Sequence, residues 1–333
     1  MKADVPLGLH TTLGIGGKAD LFYEARDSLE LVKAVRLSKS LGIPVTIIGG
    51  GSNILVGDKG VRGLVVKNVG GVIKIGKDKE PIGALPEEVG ARWQADSTVG
   101  SFKYDFADLD YDEWDEKRVE VVVDSGVPLS VLMMSMADAG VTGLQWYSRI
   151  PGTVGGAIFN NIHGGTHTIG EVVEGVKLID RNGEIREISS EALGMGYDVS
   201  RFHNSGEIIL EVKFNLFRGD VDKSRWVIGE WAKRKSIQPG RSAGCVFKNI
   251  ADADKERLGL PTGSVGYLVE HVLKLSGFRV GDAAVSDAHK NFIVNVGSAT
   301  ASDFVGVRNE IVMRAKEKCG IDLESEIILM GEF

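Results

Sequence analysis

The sequence predicts an α+β protein with more than one domain, and three features support this fold class. With 333 residues, the chain exceeds the size of one ordinary hydrophobic core and suits two or three domains. Short apolar runs of strand length alternate with segments whose apolar residues recur at helical spacing. The chain also contains 44 glycines, nearly twice the usual share of roughly 7%. They cluster in loops, as expected where backbone approaches a large ligand.

Composition and charge exclude several classes of function. Hydrophobic residues make up 43% and charged residues 26%, as in water-soluble globular proteins. The net charge is −7 and no Lys/Arg-rich block is present, so we expect neither nucleic acid nor an anionic membrane as a partner. The absence of a long apolar run and of a signal-peptide pattern predicts no membrane insertion and a cytoplasmic location. With two cysteines, Cys245 and Cys319, a disulfide framework is excluded.

Residues 1–76 are predicted to form a small unit of strands around one helix. A strand passes through Leu21 and Tyr23, and Ser28 then caps a helix that Gly42 and Pro44 end. The apolar face of this helix consists of Leu31, Val32, Val35 and Leu41. Further strands are expected at residues 45–48, 54–56 and 63–67.

The turn after residues 45–48 contains Gly49, Gly50 and Gly51, followed by Ser52 and Asn53. Because glycine has no side chain, the backbone amides of such a turn can approach a phosphate group closely. A second strand-like run follows at the place where a dinucleotide fingerprint requires a helix, so the loop is not of the Rossmann type. Taken alone, the pattern fits both a pyrophosphate loop and a plain hairpin turn.

Residues 77–118 differ from the rest of the chain in composition. They contain twelve acidic and six basic residues, and aromatic side chains such as Phe106, Tyr111 and Trp114 alternate with carboxylates. A solvated insertion on the surface is the favoured interpretation. A docking surface for a protein partner is the alternative, and the sequence does not identify such a partner.

Residues 119–218 return to alternating strands and helices. A strand begins at Val119, and Pro128 is a suitable first residue for a helix that Gly140 ends. The apolar face of that helix contains Leu129, Leu132, Met133 and Met136. Asn182 and Gly183 predict a hairpin turn between strands at residues 172–180 and 184–188. A further strand is expected at residues 207–216.

A second glycine-rich stretch, residues 150–157, lies more than 90 residues after the first. Two such loops in different units predict one elongated ligand that is bound by backbone from both. A flavin dinucleotide has these requirements, because its pyrophosphate needs amides and its isoalloxazine ring needs close backbone.

Residues 219–333 are predicted to form a third domain that contains two candidate acid–base groups. Cys245 follows a turn of small residues and precedes an apolar run, where a thiol can face a pocket and Lys248 or Arg241 can tune it. A buried, inert cysteine is the alternative. Glu324 and Glu326 are two residues apart on a predicted final strand and share a face, either as an acid–base site or as a surface pair. Helices are expected at residues 226–235, at residues 264–275 and from residue 302, and a strand at residues 292–296.

His163 and His167 have the spacing of a helical zinc pair. Gly164 and Gly165 between them favour a loop instead, and no third ligand accompanies them in the sequence. We therefore expect no metal site here, and a hydrogen-bonding or loop role for both imidazoles.

Taken in order, several segments resemble the UDP-N-acetylenolpyruvoylglucosamine reductase (UDP-N-acetylmuramate dehydrogenase) family of flavoenzymes. They are HTTLGIGGKADLF, IIGGGSNILVGD, GLQWYSRIPGTVGGA, GYDVSRF, RSAGCVFKN, GFRVGDAAVSDAHKNFIVN and LESEIILMG. The resemblance implies a two-subdomain FAD-binding fold of the vanillyl-alcohol-oxidase-like (PCMH) type and a C-terminal α+β domain that binds substrate. Residues 1–76 and 119–218 would then be the FAD-binding subdomains, residues 77–118 an acidic insertion and residues 219–333 the substrate-binding domain.

The resemblance also implies a reaction. NADPH would reduce a tightly but non-covalently bound FAD, and the reduced flavin would pass a hydride to the enolpyruvyl ether of UDP-N-acetylglucosamine enolpyruvate. The product would be UDP-N-acetylmuramate, a precursor of peptidoglycan. A proton must then reach the neighbouring carbon while the substrate carboxylate is polarised.

Residue by residue, the resemblance makes Cys245 the proton donor, a position that is serine or cysteine in the family. It makes Glu326 the glutamate that polarises the carboxylate or assists protonation. The implied flavin-binding residues are Gly49, Gly50, Gly51, Ser52, Asn53, Ile150, Pro151, Gly152, Thr153, Gly155, Gly156, Asn160 and Asn161. The implied substrate-binding residues are Lys248, Asn249, His289, Asn291 and Arg149.

One position departs from the family motif GYR.S.F, in which the arginine stabilises the enolate. Here Asp198 occupies that position, and an aspartate would oppose developing negative charge. Arg201 is the first candidate to supply the guanidinium and Arg149 the second. The stretch around His163 is also longer and richer in histidine than usual. Two alternatives therefore stay open: a related FAD oxidoreductase with another acidic substrate, and a catalytically inactive flavin-binding homologue.

Overall fold

The computed structural model describes residues 1–81, 98–99, 102–103 and 107–333. Within these residues, the strands are β1 (Lys2–Pro6), β2 (Lys18–Ala25), β3 (Val45–Ile48), β4 (Ile54–Val56), β5 (Val61–Asn68), β6 (Ile73–Lys79), β7 (Thr98–Val99), β8 (Phe102–Lys103), β9 (Arg118–Asp124), β10 (His163–Gly164), β11 (His167–Thr168), β12 (Val173–Ile179), β13 (Ile185–Ser189), β14 (Ile208–Phe217), β15 (Arg279–Val280), β16 (Ala283–Val285), β17 (Ile293–Asn295) and β18 (Ile328–Met330). The helices are α1 (Ser28–Ser40), α2 (Leu129–Asp138), α3 (Val154–Asn160), α4 (Phe202–Ser205), α5 (Val221–Arg234), α6 (Asp252–Arg257), α7 (Val265–Tyr267) and α8 (Ala301–Cys319).

The N-terminal unit is a four-stranded sheet of order β1-β2-β5-β3, on which α1 packs. Asp27, not the predicted Ser28, caps α1, because its carboxylate accepts the amide of Glu30. The Ser28 hydroxyl instead donates to Asp124 of β9, 2.8 Å away. The predicted apolar face of α1 is correct except at Leu41, which lies beyond the helix and is exposed.

The strands on either side of the first glycine loop belong to different sheets. β3 pairs in parallel with β5, whereas β4 pairs in parallel with the C-terminal strand β18. A hairpin requires the two flanking strands to pair with each other, so the hairpin interpretation of this loop is wrong. The predicted final strand is shorter than expected, because regular pairing begins only at Ile328.

The second unit is an antiparallel sheet of order β13-β12-β14-β9-β6, covered by α2 and α3. The predicted hairpin at Asn182 and Gly183 is confirmed by the register of β12 against β13. β6 pairs with β9, so the chain joins this sheet at Ile73, before the boundary that the sequence indicated at residue 76. Helix α5 also belongs here, because Trp231 packs with Trp146.

The end of the acidic insertion is part of the hydrophobic core of this second unit. Leu109 and Trp114 are buried, and the Trp114 ring packs edge-on against Phe217 with 5.1 Å between ring centroids. The Glu113 carboxylate is buried and accepts hydrogen bonds from Thr142 and Gln145. The expectation of a solvated insertion is therefore wrong for this part, because aromatic side chains gain free energy when they pack. Phe106 lies outside the described residues, and so does most of the segment that was considered as a docking surface.

The C-terminal unit packs α7 and α8 against the β15-β16-β17 sheet, and its core includes Leu13 and Leu55 from the N-terminal unit. Asp58 ties the two units together, since its carboxylate accepts the amides of Ala301 and Ser302 at the start of α8. None of the described helices combines the length and apolar character needed to cross a bilayer.

Candidate active site

The fold brings the two glycine loops into direct contact. Ser52 Oγ donates to the carbonyl oxygen of Pro151 at 2.9 Å, across 99 residues of sequence. A Cβ atom at Gly50 would lie 2.9 Å from the Cα of Gly152, and one at Gly49 would overlap Oγ1 of Thr153. A side chain is therefore excluded at Gly49 and at Gly50, and this lets the two loops pack closely along the seam between them.

The amides of the seam are available to a ligand. Within the described ranges, the backbone N–H groups of residues 49–53 donate to no protein acceptor, and neither do those of Gly152 and Thr153. Such a run of unpaired donors in a structured loop is costly unless an acceptor or water satisfies it. The arrangement fits the pyrophosphate of FAD, which offers several charged oxygens to amides from both subdomains.

Thr12, which sequence reasoning missed, links the first loop to the segment that carries Cys245. Its amide donates to the carbonyl of Gly51 at 3.0 Å, and its hydroxyl donates to the carbonyl of Ser242 at 2.6 Å. The sequence signal that could have identified Thr12 is its position just before the GIGG turn in the HTTLGIGG segment. Gly51 has φ +66°, and a Cβ there would overlap the carbonyl oxygen of His10, so this position requires glycine.

The thiol and the C-terminal carboxyl are neighbours because the segments carrying them run antiparallel. The amide of Glu326 donates to the Val246 carbonyl at 2.9 Å, and the amide of Lys248 donates to the Glu324 carbonyl at 3.0 Å. Asn53 Nδ2 donates to the Glu326 carbonyl at 3.2 Å, which anchors this pair to the first glycine loop. Cys245 keeps some exposed surface at this junction.

Asn291 and His289, predicted to bind substrate, hold the backbone next to the thiol. The Asn291 side chain accepts from the amide of Phe247 at 3.1 Å and donates to its carbonyl at 2.8 Å. His289 Nδ1 accepts from the Asn291 amide at 3.2 Å, and burial lowers the pKa of this imidazole to about 4, so it is neutral. Both side chains are buried behind Cys245 and position it.

The surroundings of Cys245 keep acidic groups protonated. Burial raises the pKa of the Cys245 thiol well above its ordinary value, and the nearby Glu326 and Asp198 carboxyls raise it further, while a hydrogen bond with Asn291 opposes this. Burial and Asp198 likewise raise the pKa of Glu326, against the lowering effect of Lys248. The Tyr197 pKa is raised by burial and by the same acidic groups. The surroundings therefore favour the proton-bearing form of three groups, the Cys245 thiol, the Glu326 carboxyl and the Tyr197 phenol.

Asp198 belongs to this group, and the segment around it is a turn, not a strand. Gly196 and Val199 bridge each other across the turn, and Asp198 has φ +50°. Its side chain is buried, and Oδ1 lies 3.1 Å from Nδ1 of His163. The two departures from the family pattern, the aspartate and the histidine, are thus in contact.

Arg201 does not join the group, which corrects the sequence prediction. Its guanidinium forms two hydrogen bonds of 2.9 Å with the Glu207 carboxylate and a third, also 2.9 Å, with the Ala192 carbonyl. The turn at Asp198 separates the two positions, and the short helix α4 begins directly after Arg201. A guanidinium already paired in this way is not available to polarise a substrate carboxylate.

Lys248 and Arg149 are the two cations among the predicted substrate-binding residues. Lys248 Nζ contacts Glu324 Oε1 at 2.6 Å, and its charge lowers the pKa of both Glu326 and His203, which places it at the group. Arg149 is exposed with φ +64°, and it forms no ion pair with a carboxylate among the described residues.

Other predicted ligand residues serve the protein itself. Asn161 donates to the Gly196 carbonyl at 2.8 Å and accepts the Gly170 amide, so its amide group supports the Asp198 turn and is not free for flavin. Asn160 Oδ1 lies 3.3 Å from His203 Nε2. Gly155 packs against Ser125. Three predicted residues remain. Ile150 lies directly before the seam, and Gly156 lies in the first turn of α3. Asn249 is exposed at the end of the segment that carries Cys245.

The two histidines of the proposed pair have different partners. His163 contacts Asp198, whereas the His167 ring is buried, stacks on Trp146 and contacts Asp110 and Glu171 at 2.8 and 3.3 Å. They therefore do not face one common site.

Comparison with known proteins agrees with this geometry. Residues 235–330 match the model of the UDP-N-acetylenolpyruvoylglucosamine reductase C-terminal domain, and residues 90–189 match an FAD binding domain. The UDP-N-acetylenolpyruvoylglucosamine reductase of Heliobacterium modesticaldum is 33% identical over 98% of this chain and 90% of its own. That of Agathobacter rectalis is 32% identical over 99% and 94%.

A solved structure extends the likeness to the fold. The crystal structure of UDP-N-acetylenolpyruvylglucosamine reductase from Thermus caldophilus superposes with a TM-score of 0.69 at 30% identity, over 98% of this chain and 97% of that one. The α+β fold class and the family resemblance are both confirmed. From the seam, the thiol–carboxyl pair and these comparisons, we conclude that the chain belongs to the UDP-N-acetylenolpyruvoylglucosamine reductase family.

Proposed function

We propose that this chain is an FAD-dependent oxidoreductase that uses NADPH to reduce UDP-N-acetylglucosamine enolpyruvate to UDP-N-acetylmuramate. The reaction would supply peptidoglycan synthesis in the cytoplasm. The observation that carries the proposal is that the amide-lined seam meets the segments of Cys245 and Glu326, through the hydrogen bond from Asn53 Nδ2 to the Glu326 carbonyl. Burial raises the pKa of both the thiol and the carboxyl at this place. The names of the full-length relatives support the same reaction.

The residues of the seam fit FAD and would hold it without a covalent link. The unpaired amides of residues 49–53, with those of Gly152 and Thr153, would bind its pyrophosphate, while Ser52 joins the two loops through its hydrogen bond to Pro151. FAD, when bound here, would supply hydride-transfer chemistry, with NADPH as the hydride donor. The chain itself then has to deliver a proton and manage negative charge.

Cys245 donates its proton to the carbon that neighbours the substrate carboxylate. Glu326, in its acid form, donates a hydrogen bond to that carboxylate, and the Lys248 ammonium stabilises the charge that develops on it. Arg149, which is exposed and directly precedes the second glycine-rich loop, would contribute a second cation from the other subdomain. The nucleotide sugar would lie between the seam and residues 219–333.

The proposal is tested under anaerobic conditions by following flavin absorbance. We expect NADPH to bleach the bound flavin and the enolpyruvyl nucleotide to restore its colour, with NADH as the comparison donor. Bleaching without recovery would instead indicate an oxidoreductase with another acidic substrate. A preparation that binds FAD but does not bleach would indicate an inactive flavin-binding homologue. The reason to test these alternatives is Asp198, whose negative charge acts on the Cys245 thiol and would oppose the charge that develops on the substrate.

Replacing Arg201 with glutamine should leave flavin reoxidation by the enolpyruvyl nucleotide unchanged within about twofold. The guanidinium is paired with Glu207 and Ala192, so its loss should appear in stability, by roughly 1 kcal/mol after allowance for its partial exposure. Stopped-flow absorbance and urea unfolding measure the two effects. Arg149→Gln is the matched variant, for which we expect weaker binding of the nucleotide. A large loss of reoxidation rate in Arg201→Gln would contradict the assignment of a structural role.

A further inference from the structure

One imidazole joins the end of the acidic insertion to the β10–β11 hairpin. The side chain of His167, on β11, is only 4% exposed. Its Nε2 lies 2.8 Å from Oδ1 of Asp110 in the insertion, and its Nδ1 lies 3.3 Å from Oε2 of Glu171. The Trp146 ring stacks on the imidazole with 3.6 Å between ring centroids. Both ring nitrogens of His167 therefore face a carboxylate oxygen.

These two contacts indicate the protonation state of the ring. A neutral imidazole donates from one nitrogen and carries a lone pair on the other, whereas an imidazolium donates from both. Since a lone pair repels a carboxylate oxygen, only the imidazolium satisfies two ionised carboxylates at once. Burial lowers the pKa of His167, but the hydrogen bonds with Asp110 and Glu171 outweigh burial and leave the pKa above its ordinary value.

Each of the two carboxylates is held in place by its other oxygen. Asp110 Oδ2 accepts the hydroxyl of Thr166 at 2.9 Å, and Glu171 Oε1 accepts the amide of Thr168 at 2.8 Å. Asp110 belongs to the insertion, whereas Glu171 belongs to the turn that follows the hairpin. The His167 ring is thus a charged connection between two segments that are both fixed. Whichever nitrogen loses its proton, one side of this connection is lost.

The other ionisable groups around the ring also favour a positive charge. Asp112 and Glu113 of the insertion and the phenol of Tyr147 line one small cavity together with His167 and Glu171. No lysine or arginine is among the described residues that line this cavity. Every ionised neighbour of the imidazole there is consequently acidic, and nothing in the cavity competes with His167 as the cation.

The hairpin that carries His167 also reaches the candidate active site. A Cβ atom at Gly164 would overlap the carbonyl oxygen of Trp146, and one at Gly165 would lie 3.2 Å from the Trp231 ring, so the hairpin is closely packed. At its other end, Nδ1 of His163 lies 3.1 Å from Oδ1 of Asp198. The hairpin therefore connects the insertion with the Asp198 turn.

We propose that the His167 imidazolium is a proton-dependent bridge, which holds the end of the acidic insertion on the second unit and weakens this attachment when it loses its proton. The stability that the bridge contributes should be fully present below about pH 6.5, the ordinary pKa of an exposed histidine. It should be lost as the pH rises through the higher pKa that His167 has in the folded protein. The proposal concerns the protein without substrate and does not depend on the proposed reaction.

The charge of the ring can be measured directly by nuclear magnetic resonance. The full-length, FAD-loaded protein is prepared with ¹⁵N-labelled histidine, whose ring nitrogen shifts distinguish the imidazolium from both neutral tautomers. The chain has six histidines, and His167→Gln identifies the signals of this one. We expect His167 to remain an imidazolium above about pH 6.5. In Asp110→Asn the midpoint should move to lower pH by about one unit, because an opposite charge has been removed.

Matched variants separate the contact from net charge and from folding. Asp110→Glu restores the charge and should return the midpoint part of the way. Glu171→Gln should lower the midpoint as Asp110→Asn does, and glutamine can keep the hydrogen bond to the Thr168 amide. Asp108→Asn removes an equal charge two residues from Asp110, but Asp108 is paired with Arg234 at 2.6 Å. This variant should leave the midpoint unchanged.

The attachment itself is measured by hydrogen exchange. Mass spectrometry follows the amides of residues 107–114 at pH values below and above the His167 midpoint, with correction for the intrinsic pH dependence of exchange. We expect about tenfold faster exchange above the midpoint, which corresponds to a pKa difference of about one unit between the attached and released states. In His167→Gln this pH dependence should disappear.

Several results would overturn the proposal. A neutral His167 ring at about pH 6 would mean that the proton lies on a carboxyl instead. A midpoint unchanged in both Asp110→Asn and Glu171→Gln, or shifted equally in Asp108→Asn, would show that the two contacts do not hold the charge. Equal exchange on both sides of the midpoint would show that the charge does not hold the insertion.

Discussion

Cys245→Ala should reduce flavin reoxidation by the enolpyruvyl nucleotide by about 10²–10⁴-fold, the usual contribution of a general acid. The alanine variant has no proton to give at this position, which precedes Val246, the residue whose carbonyl accepts the Glu326 amide. Reduction of the flavin by NADPH should continue at its normal rate, because the thiol takes no part in it. Anaerobic stopped-flow absorbance measures the two half-reactions separately.

Cys245→Ser is the matched variant and should retain most of the activity. The hydroxyl can occupy the same place, held by the contacts of Asn291 with Phe247. An equal loss of both half-reactions in the alanine variant would mean that Cys245 is structural. Loss of flavin from both variants would point to the same conclusion.

Gly51→Ala should largely abolish FAD binding and lower the free energy of unfolding. The residue has φ +66°, and a Cβ there would overlap the carbonyl oxygen of His10. The left-handed conformation costs a non-glycine residue about 1–2 kcal/mol, and the overlap adds roughly 1–3 kcal/mol. The ratio of flavin to protein absorbance and the midpoint of urea unfolding measure the two effects.

Gly42→Ala separates the two causes. Gly42 has the same φ of +66°, but a Cβ there meets no atom within 4 Å. Gly42→Ala should therefore lower the free energy of unfolding only by the cost of the left-handed conformation, and it should leave the FAD content normal. If the two variants behaved alike, the close packing of the seam would not be responsible for the effect at Gly51.

Much of the local structure could be predicted because it depends on neighbours in sequence. The turn at Asn182 and Gly183, the helix that ends at Gly320 and the strand preceding Gly49 follow from turn residues and periodicity. The cap of α1 was misplaced by one residue because Asp27 and Ser28 are both good caps, and the contact of Ser28 with Asp124 decided between them. That contact joins two units of the fold, so the sequence around Ser28 does not reveal it.

The acidic insertion shows a second limit of the sequence. Its charge predicted a solvated segment, yet Leu109 and Trp114 are buried and Glu113 is satisfied by Thr142 and Gln145. Composition averages over a segment, whereas burial is decided side chain by side chain, by whether a partner lies opposite. The aromatic residues among the carboxylates were the available signal.

For the site, the sequence by itself determined the components: two glycine-rich loops, a cysteine beside an apolar run and a glutamate near the C-terminus. Their motifs also determined the family. Only the tertiary structure decided which groups act together, because the relevant contacts join residues far apart in sequence. The β4–β18 pairing brings Glu326 to the glycine loop. The Arg201 guanidinium is paired with Glu207, which keeps it away from the thiol and the carboxyl. A left-handed turn places Asp198 against His163. A side chain's charge is written in the sequence, but its effect depends on distance and burial, which exist only once the chain has folded.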